Sequence, residues 1–258
     1  MEVMLVDVTY RYKNSSRDSL VSINMNISGP SITGITGVPG SGKTTLLGII
    51  SDVIKPTAGK VYIQPKDVLM VFQNPANVFS EHTVFGEICK HTRSKDARRV
   101  LASLKMVRLD DSYLYMDPFC LSESEQRLVC IASVLAANPK IIVFDEPFRG
   151  LDDNNKKYMI KLFKMMKYRY NKMILVASID TDLLDAICDT VYVMKDGEVV
   201  CSGDKYEVLS NEKIMVDSGL CSPKTLEFSN LVKRMKNVNL GKRNDINDLI
   251  KDIYRKAR

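Results

Sequence analysis

The sequence predicts an α/β protein with helices covering both faces of a parallel sheet. Three observations carry that expectation. Short apolar strands alternate with helical patterns along most of the chain, a glycine-rich run separates one such strand from the next helix, and a second apolar strand ends in two adjacent carboxylates. Residues 3–12 and 20–27 alternate as strands around the turn Asn14-Ser15-Ser16, and residues 31–36 form a short β-branched strand. A helical pattern over residues 44–54 is broken by Lys55-Pro56-Thr57-Ala58-Gly59, and residues 60–63 resume a strand. Residues 68–72 read as a continuous apolar strand of the kind buried inside a sheet.

From residue 76 to 120 the pattern turns mostly helical, with Val100, Leu101 and Leu104 on one face of residues 98–106. A helix over residues 123–137, with Leu128, Ile131 and Leu135 on its apolar side, leads into the strand 141–144. Helix 156–168, strand 173–178, helix 181–189 and a hairpin over 190–202 around Asp196-Gly197 complete the alternation. Beyond about residue 204 the chain is helical and basic, and no internal repeat is evident.

Composition narrows the class further. A chain of 258 residues, 45% apolar and 26% charged, can bury one full core and is neither disordered nor collagenous. Its net charge of +6 tolerates an anionic partner such as a nucleotide or lipid headgroups without choosing between them. Cys89, Cys120, Cys130, Cys188, Cys201 and Cys221 include no CxxC pair, and only His82 and His91 join them. That is a poor inventory for zinc and reads as a reduced, cytosolic chain. The first residues form a strand pattern instead of a signal peptide, and no apolar run approaches the ~20 residues a bilayer requires. Any membrane role is therefore expected to come through a partner.

The run Gly37-Val38-Pro39-Gly40-Ser41-Gly42-Lys43-Thr44 fits G-x-x-x-x-G-K-[ST] between a strand and a helix. Its glycines let backbone N–H groups turn inward around phosphate oxygens, and the following helix aims its positive end at the same place. Lys43 is expected to meet the β- and γ-phosphates, and the Thr44 hydroxyl to ligate Mg²⁺. Ile141-Ile142-Val143-Phe144-Asp145-Glu146-Pro147 is the strand that ends in two acids. In an open parallel sheet ligands sit beyond the carboxyl ends of strands, which brings both acids to the phosphates. Asp145 suits the outer coordination of Mg²⁺, and Glu146 suits a general base polarising the attacking water. Taken alone, either segment could be a plain turn or a solvated strand end.

With these motifs in place, the chain up to about residue 205 resembles the ATPases of ATP-binding cassette (ABC) transporters. The resemblance implies a P-loop NTPase of the ABC type: a mixed sheet core with an antiparallel β edge, a helical subdomain and a C-terminal helical extension. The implied division is 1–75 with 121–203 for the nucleotide-binding core, 76–120 for a shortened helical subdomain, and 204–258 for the extension. Tyr12 stands where the family stacks an aromatic ring on adenine, with Tyr10 as the alternative and core packing as the plain reading. Thr45 closes the nucleotide-binding set. Gln73, in Phe72-Gln73-Asn74-Pro75, resembles the glutamine that senses Mg²⁺ and the attacking water. Leu121-Ser122-Glu123-Ser124-Glu125 occupies the place of the signature LSGGQ, so Ser122 and Ser124 are implied to reach a nucleotide held by a second subunit. Gly150-Leu151-Asp152 resembles the loop that pairs two protomers.

FQNP followed by Thr83-Val84-Phe85-Gly86-Glu87, together with Ser218-Gly219-Leu220-Cys221-Ser222-Pro223, is similar to the ATPases of energy-coupling factor transporters. Those importers of vitamins or metal ions pair two ATPases with a transmembrane coupling protein and a substrate-binding membrane subunit. The implied place is peripheral, on the cytoplasmic face of the membrane, with ATP/ADP and Mg²⁺ bound. Alternatives are a scaffold that holds nucleotide and hydrolyses it weakly, or a soluble ABC ATPase not tied to transport.

Two departures from the pattern bear on activity. Where the family carries a switch histidine, this chain has Ile179, which cannot hydrogen-bond a γ-phosphate. Glu123 and Ser124 replace both signature glycines, and a carboxylate there repels a polyanion unless it turns to solvent. In a homodimer each site would carry both defects, in a heterodimer only one, so a heterodimer is expected. The basic tail, Lys233, Arg234, Lys236, Lys242, Arg243, Lys251, Arg255, Lys256 and Arg258, carries Ile246, Leu249, Ile250, Ile253 and Tyr254 at helical spacing behind Asn244 or Asp245. It reads as a solvated helix with one docked stripe or as a contact for a partner ATPase. Tyr254 is the one aromatic ring among these charges, too few for the stacking platform of a nucleic-acid surface.

Overall fold

A computed structural model describes residues 1–92, 96–236 and 251 of the chain. In chain order the first elements are β1 (Glu2–Tyr10), β2 (Leu20–Ser28), β3 (Ile32–Thr36), α1 (Lys43–Ile50), β4 (Ala58–Tyr62) and β5 (Val68–Val71). There follow α2 (Val84–Cys89), α3 (Ala97–Met106), α4 (Glu123–Ala137), β6 (Ile141–Asp145), α5 (Asp153–Tyr170), β7 (Met173–Ala177) and α6 (Thr181–Ile187). The hairpin β8 (Thr190–Lys195) and β9 (Glu198–Asp204) precedes α7 (Lys205–Leu209), α8 (Glu212–Asp217) and α9 (Lys224–Lys236).

Among the described residues the strands form two sheets. The larger has the order β5-β6-β7-β3-β8-β9, parallel except for the edge strand β9, which runs antiparallel to β8. The smaller is the antiparallel set β2-β1-β4. This is the mixed sheet with an antiparallel edge that the sequence predicts, with part of the antiparallel material in a sheet of its own.

Strand periodicity divides the core into two layers. In β6, Ile141 and Val143 face one way, packing with Leu46 and Leu47 of α1 and with Val3, Leu5 and Ile23 of the small sheet. Ile142 and Phe144 face the other way, against the layer built by α4, α5 and α6. There the ring of Phe144 stacks on Phe163 with centroids 4.6 Å apart, and Phe148 meets Phe163 edge-on at 5.3 Å. Strands β3, β6 and β7 are buried at every position, which is why β7 and the first four residues of β6 read as unbroken apolar runs.

Some elements differ from the sequence expectation. The helix begun at residue 43 stops at Ile50, because Asp52 turns left-handed at φ 60° and the Val53 and Ile54 N–H groups fold back onto the Gly48 carbonyl. The stretch from 76 to 120 is less helical than its pattern suggests. Its α-helices α2 and α3 are followed by 3-10 turns at Asp111–Tyr115 and Pro118–Cys120, each begun by an aspartate that caps its own turn. Conversely, α5 begins earlier than expected because the Asp152 carboxylate caps the Asn155 N–H.

Beyond β9, α7 is anchored by the buried Lys205–Asp185 pair and α9 by Arg234 on Glu212, and the predicted helix behind Asn244 or Asp245 lies, apart from Lys251, outside the described residues. No helix among the described residues is long and apolar enough to cross a membrane. Phe163→Ala is expected to destabilise the fold by about 3–5 kcal/mol through lost burial and an unfilled cavity. Urea unfolding checks it: the midpoint should fall sharply while the slope is unchanged.

Candidate nucleotide site

The central strands β3, β6 and β7 point their carboxyl ends to one side, and their register sets the loops that follow at one level. Asp145 pairs with Ala177 across β6 and β7, and Ile35 with Ala177 across β3 and β7. The Glu146 N–H then donates to the Ala177 carbonyl at 3.0 Å, and the Ser178 N–H to the Ile35 carbonyl at 3.0 Å. Three chain reversals, after Thr36, Asp145 and Ala177, therefore open onto one cleft of about 970 Å³.

The loop after β3 can form only with glycine at two of its positions. A Cβ at Gly37 would lie 2.3 Å from the Met194 carbonyl oxygen, and Gly42, at φ 102°, would meet the Ser19 carbonyl oxygen at 2.7 Å. Lys43 opens α1 and folds its ammonium back over this loop, donating to the carbonyls of Gly37 at 2.6 Å and Val38 at 3.1 Å. The Ser41 hydroxyl is buried and finds no partner among the described residues. Thr44 donates to Asp145 Oδ2 at 2.7 Å, joining the start of α1 to the end of β6.

Glu146 follows with φ 48°, a left-handed conformation that costs free energy in any residue but glycine. Its carboxylate accepts from Ser178 Oγ at 3.0 Å and from the Ile179 N–H at 3.1 Å. Burial is the leading influence on Lys43, Asp145 and Glu146. It lowers the Lys43 pKa, against the pull of Glu146 and Asp145, and raises that of Asp145, against the Thr44 hydrogen bond and Lys43. Burial also raises Glu146, against the bonds from Ser178 and Ile179.

Of the residues singled out from sequence, Tyr12, Pro39, Gly40, Gly42, Lys43, Thr44, Thr45, Gln73, Asp145 and Glu146 line this cleft. Gly37, Val38 and Ser41 belong to the same loop without lining the opening. Tyr12 rests its hydroxyl on Thr45 Oγ1 at 3.1 Å and meets Tyr10 edge-on, 4.9 Å between centroids. Tyr12 faces the cleft, whereas Tyr10 packs on the core beneath the small sheet. Ile179 lies at the rim, 47% exposed, between Glu146 and the start of α6.

Ser122 and Ser124 do not line the cleft of their own chain. Ser122 caps α4 and forms a reciprocal pair with Glu125, while Glu123 and Ser124 occupy the first helical turn. The Glu123 carboxylate is partly turned to solvent, but it also takes a hydrogen bond at 3.1 Å from Arg127, one turn further on. Its charge is thus offset inside the protein, an outcome that the repulsion argument from sequence does not include. Sequence reasoning missed Arg127 and Ser178. The glutamate–arginine spacing of four on a helix was the available signal for the first, and adjacency to the Ile179 position for the second.

With this geometry established, comparison with known proteins identifies the class. The family described as ABC transporter matches residues 20–149. The energy-coupling factor transporter ATP-binding protein EcfA1 of Mycoplasma mobile is 32% identical over 251 residues, covering 90% of this chain and 91% of that protein. EcfA2 of Enterococcus faecalis, an ATP-binding protein of the same transporter type, is 32% identical over 254 residues, covering 89% and 88%. The fold is also similar to a dimeric post-hydrolysis structure of the ATP-binding cassette MJ0796 bound to ADP and Pi. The TM-score is 0.73 and the identity 30%, over 79% of this chain and 98% of that one. The chain belongs to the ABC transporter family, as an ATP-binding and ATP-hydrolysing cassette of the energy-coupling factor type.

Two predictions follow from the desolvated charges. Lys43→Ala should weaken ATP and ADP binding at least a hundredfold, since Lys43 is the cation bonded directly to the loop carbonyls; equilibrium titration reads this directly. Because Asp145 has a raised pKa in the folded state, its burial favours folding below the ordinary aspartate pKa, and that advantage is lost as pH rises through the folded value. Asp145→Asn should therefore melt above the wild type at neutral pH without nucleotide, by about 2–4 °C. Melts at pH 7.5 and 4.5 check the sign, for the difference should shrink at the acid end.

Proposed function

We propose that this chain is one of two non-identical cassettes that power an energy-coupling factor importer of a vitamin or metal ion, docked peripherally on the cytoplasmic face of the membrane. The transmembrane coupling protein and the substrate-binding membrane subunit would be its further partners, and no nucleic acid would be. The observation that carries this reading is an imbalance within one cleft. Lys43, Thr44, Asp145 and Glu146 converge there, yet Ile179 stands at the rim where a polar side chain would assist hydrolysis. A second, intact cassette would supply a proper signature to this site, and this chain would lend its altered one to the other. The existence of relatives named EcfA1 and EcfA2 supports two kinds of subunit. The division into core (1–75 and 121–203), helical subdomain (76–120) and extension (204–258) is part of the same proposal.

In this reading the loop 37–44 receives the phosphates: Lys43 releases the Gly37 and Val38 carbonyls to meet them, and the orphaned Ser41 hydroxyl gains a partner. Tyr12 stacks on the base from the side of Thr45. Thr44 and Asp145, with Gln73, form an oxygen donor set that suits Mg²⁺ retaining several waters. Mg²⁺, when bound, offsets charge on the β- and γ-phosphates. Glu146 accepts the proton of the attacking water, with its raised pKa placing it closer to neutrality than a free carboxyl. Ser122 and Ser124 reach the nucleotide of the partner cassette from the head of α4.

Ile179 favours one second reading, in which this site clamps ATP and the partner performs most turnover. Kinetic and light-scattering measurements test these readings. The isolated chain should hydrolyse ATP slowly, and an added cassette with intact LSGGQ should raise the rate per site; equal rates with and without it would remove the heterodimer. Light scattering with and without ATP reports the dimer formed. Ile179→His should raise phosphate release by the pair about tenfold, on the order of 1.4 kcal/mol. A working hydrolytic site should lose most of its rate in Glu146→Gln, whereas a clamp should lose almost none.

A further inference from the structure

Arg127 lies on α4, one turn beyond Glu123, and its side chain is fully buried. Its Nη1 donates to the Glu146 carbonyl at 3.1 Å, and its Nη2 to the Gln73 carbonyl at 3.1 Å and to Glu123 Oε1 at 3.1 Å. These acceptors belong to three separate segments: the reversal after β6, the loop after β5 and the first turn of α4. A guanidinium is planar and its N–H groups diverge at fixed angles, so three simultaneous bonds fix the relative placement of those segments. An ammonium on a flexible stem cannot do so.

The restraint falls where backbone strain is held. Glu146 sits at φ 48°, and such a conformation persists only if its surroundings over-determine it. On one side its N–H is bonded to Ala177 and its carboxylate to Ser178 and Ile179. On the other side its carbonyl receives Arg127. Within its own turn that carbonyl also takes the Arg149 N–H at 3.2 Å, so Arg127 is the contact that ties the turn, and with it the direction of the carboxylate, to α4.

We propose that Arg127 is a positioning residue for hydrolysis: it holds the Glu146 and Gln73 carbonyls to the head of α4, with Glu123 as its counter-charge, and so aims the Glu146 carboxylate. This rests on the assignment of Glu146 as general base. The glutamate in place of the signature's first glycine is then half of an ion pair that serves the chain's own site. Nucleotide binding at the 37–44 loop does not depend on this contact, so binding and turnover should separate.

The test is single-turnover hydrolysis of Mg-ATP by the full-length chain, with the rate normalised to sites counted by nucleotide titration. Arg127→Met should lower the rate constant between about tenfold and a hundredfold, with the ATP Kd changed less than about threefold. Arg127→Lys should fall between it and the wild type, and Glu123→Gln should give a smaller loss in the same direction. In the Glu146→Gln background, adding Arg127→Met should cost nothing further, since the group it aims is gone. An unchanged rate per site in Arg127→Met, or an equal loss in both backgrounds, overturns the proposal. Full activity in Glu146→Gln alone would instead overturn the base assignment. Should Arg127→Met fail to fold, Arg127→Lys and Glu123→Gln carry the same comparison in both backgrounds, and no loss in either overturns the proposal.

Discussion

The electrostatics of the site begin with one constraint: Lys43, Asp145 and Glu146 are held in a shared cleft from which the fold removes much of their water. Each is pushed toward its neutral form by burial; Lys43 and the carboxylates pull one another back toward charge, while Asp145 adds to the push on Glu146. The protein meets this internally with hydrogen bonds to each of the three. Lys43 bonds the carbonyls of its own loop, Thr44 caps Asp145, and Ser178 with the Ile179 N–H holds Glu146. In the proposed function, Lys43, Thr44 and Asp145 are the groups among these that would meet a nucleotide and Mg²⁺. A polyanion with a divalent cation would offer those groups stronger partners.

Sheet order makes the convergence possible. With β3 between β7 and β8 and β6 on the far side of β7, the strand preceding the glycine loop and the strand ending in carboxylates are separated by one strand only. That intervening strand, β7, hands over Ser178 and Ile179 at the same level. Two core layers hold these strands from opposite sides, one through α1 and the small sheet, the other through α4 to α6. A shift of either layer would move an entire loop, so packing far from the cleft bears on distances within it.

Legibility from sequence followed the physics of each feature. The glycine loop was readable because steric exclusion leaves glycine alone at positions such as Gly42, and a strand and helix flank it. The acidic strand was readable because full burial removes polar residues until the carboxyl end. Helix ends were less so: α1 stops where Asp52 enters the left-handed region and α5 starts at an Asp152 cap, both decided by local hydrogen bonds that periodicity does not encode. The partition into two sheets depends on long-range pairing of β1 with β4, which no local pattern announces. Within the site, Ser178 and Arg127 escaped because their role is to orient backbone and carboxylate groups distant in sequence, 32 and 19 residues away from Glu146.

The departures in the signature become intelligible when considered as a pair and not singly. A glutamate at the head of a helix is locally favoured by the free N–H groups of the first turn, and Ser122 with Glu125 already caps that turn. A fully buried arginine, by contrast, is costly unless its donors are met, and removing its charged partner from such a setting commonly costs several kcal/mol. Two of the acceptors are backbone carbonyls, which supply no compensating charge; Glu123 is the only carboxylate among the three. Loss of Glu123 would leave a desolvated cation beside the strained Glu146, and loss of Arg127 would leave an unpaired carboxylate at the head of α4. Each residue is tolerable mainly because of the other, so the altered signature and the geometry of the chain's own cleft form one coupled feature, carried across α4 by a single guanidinium.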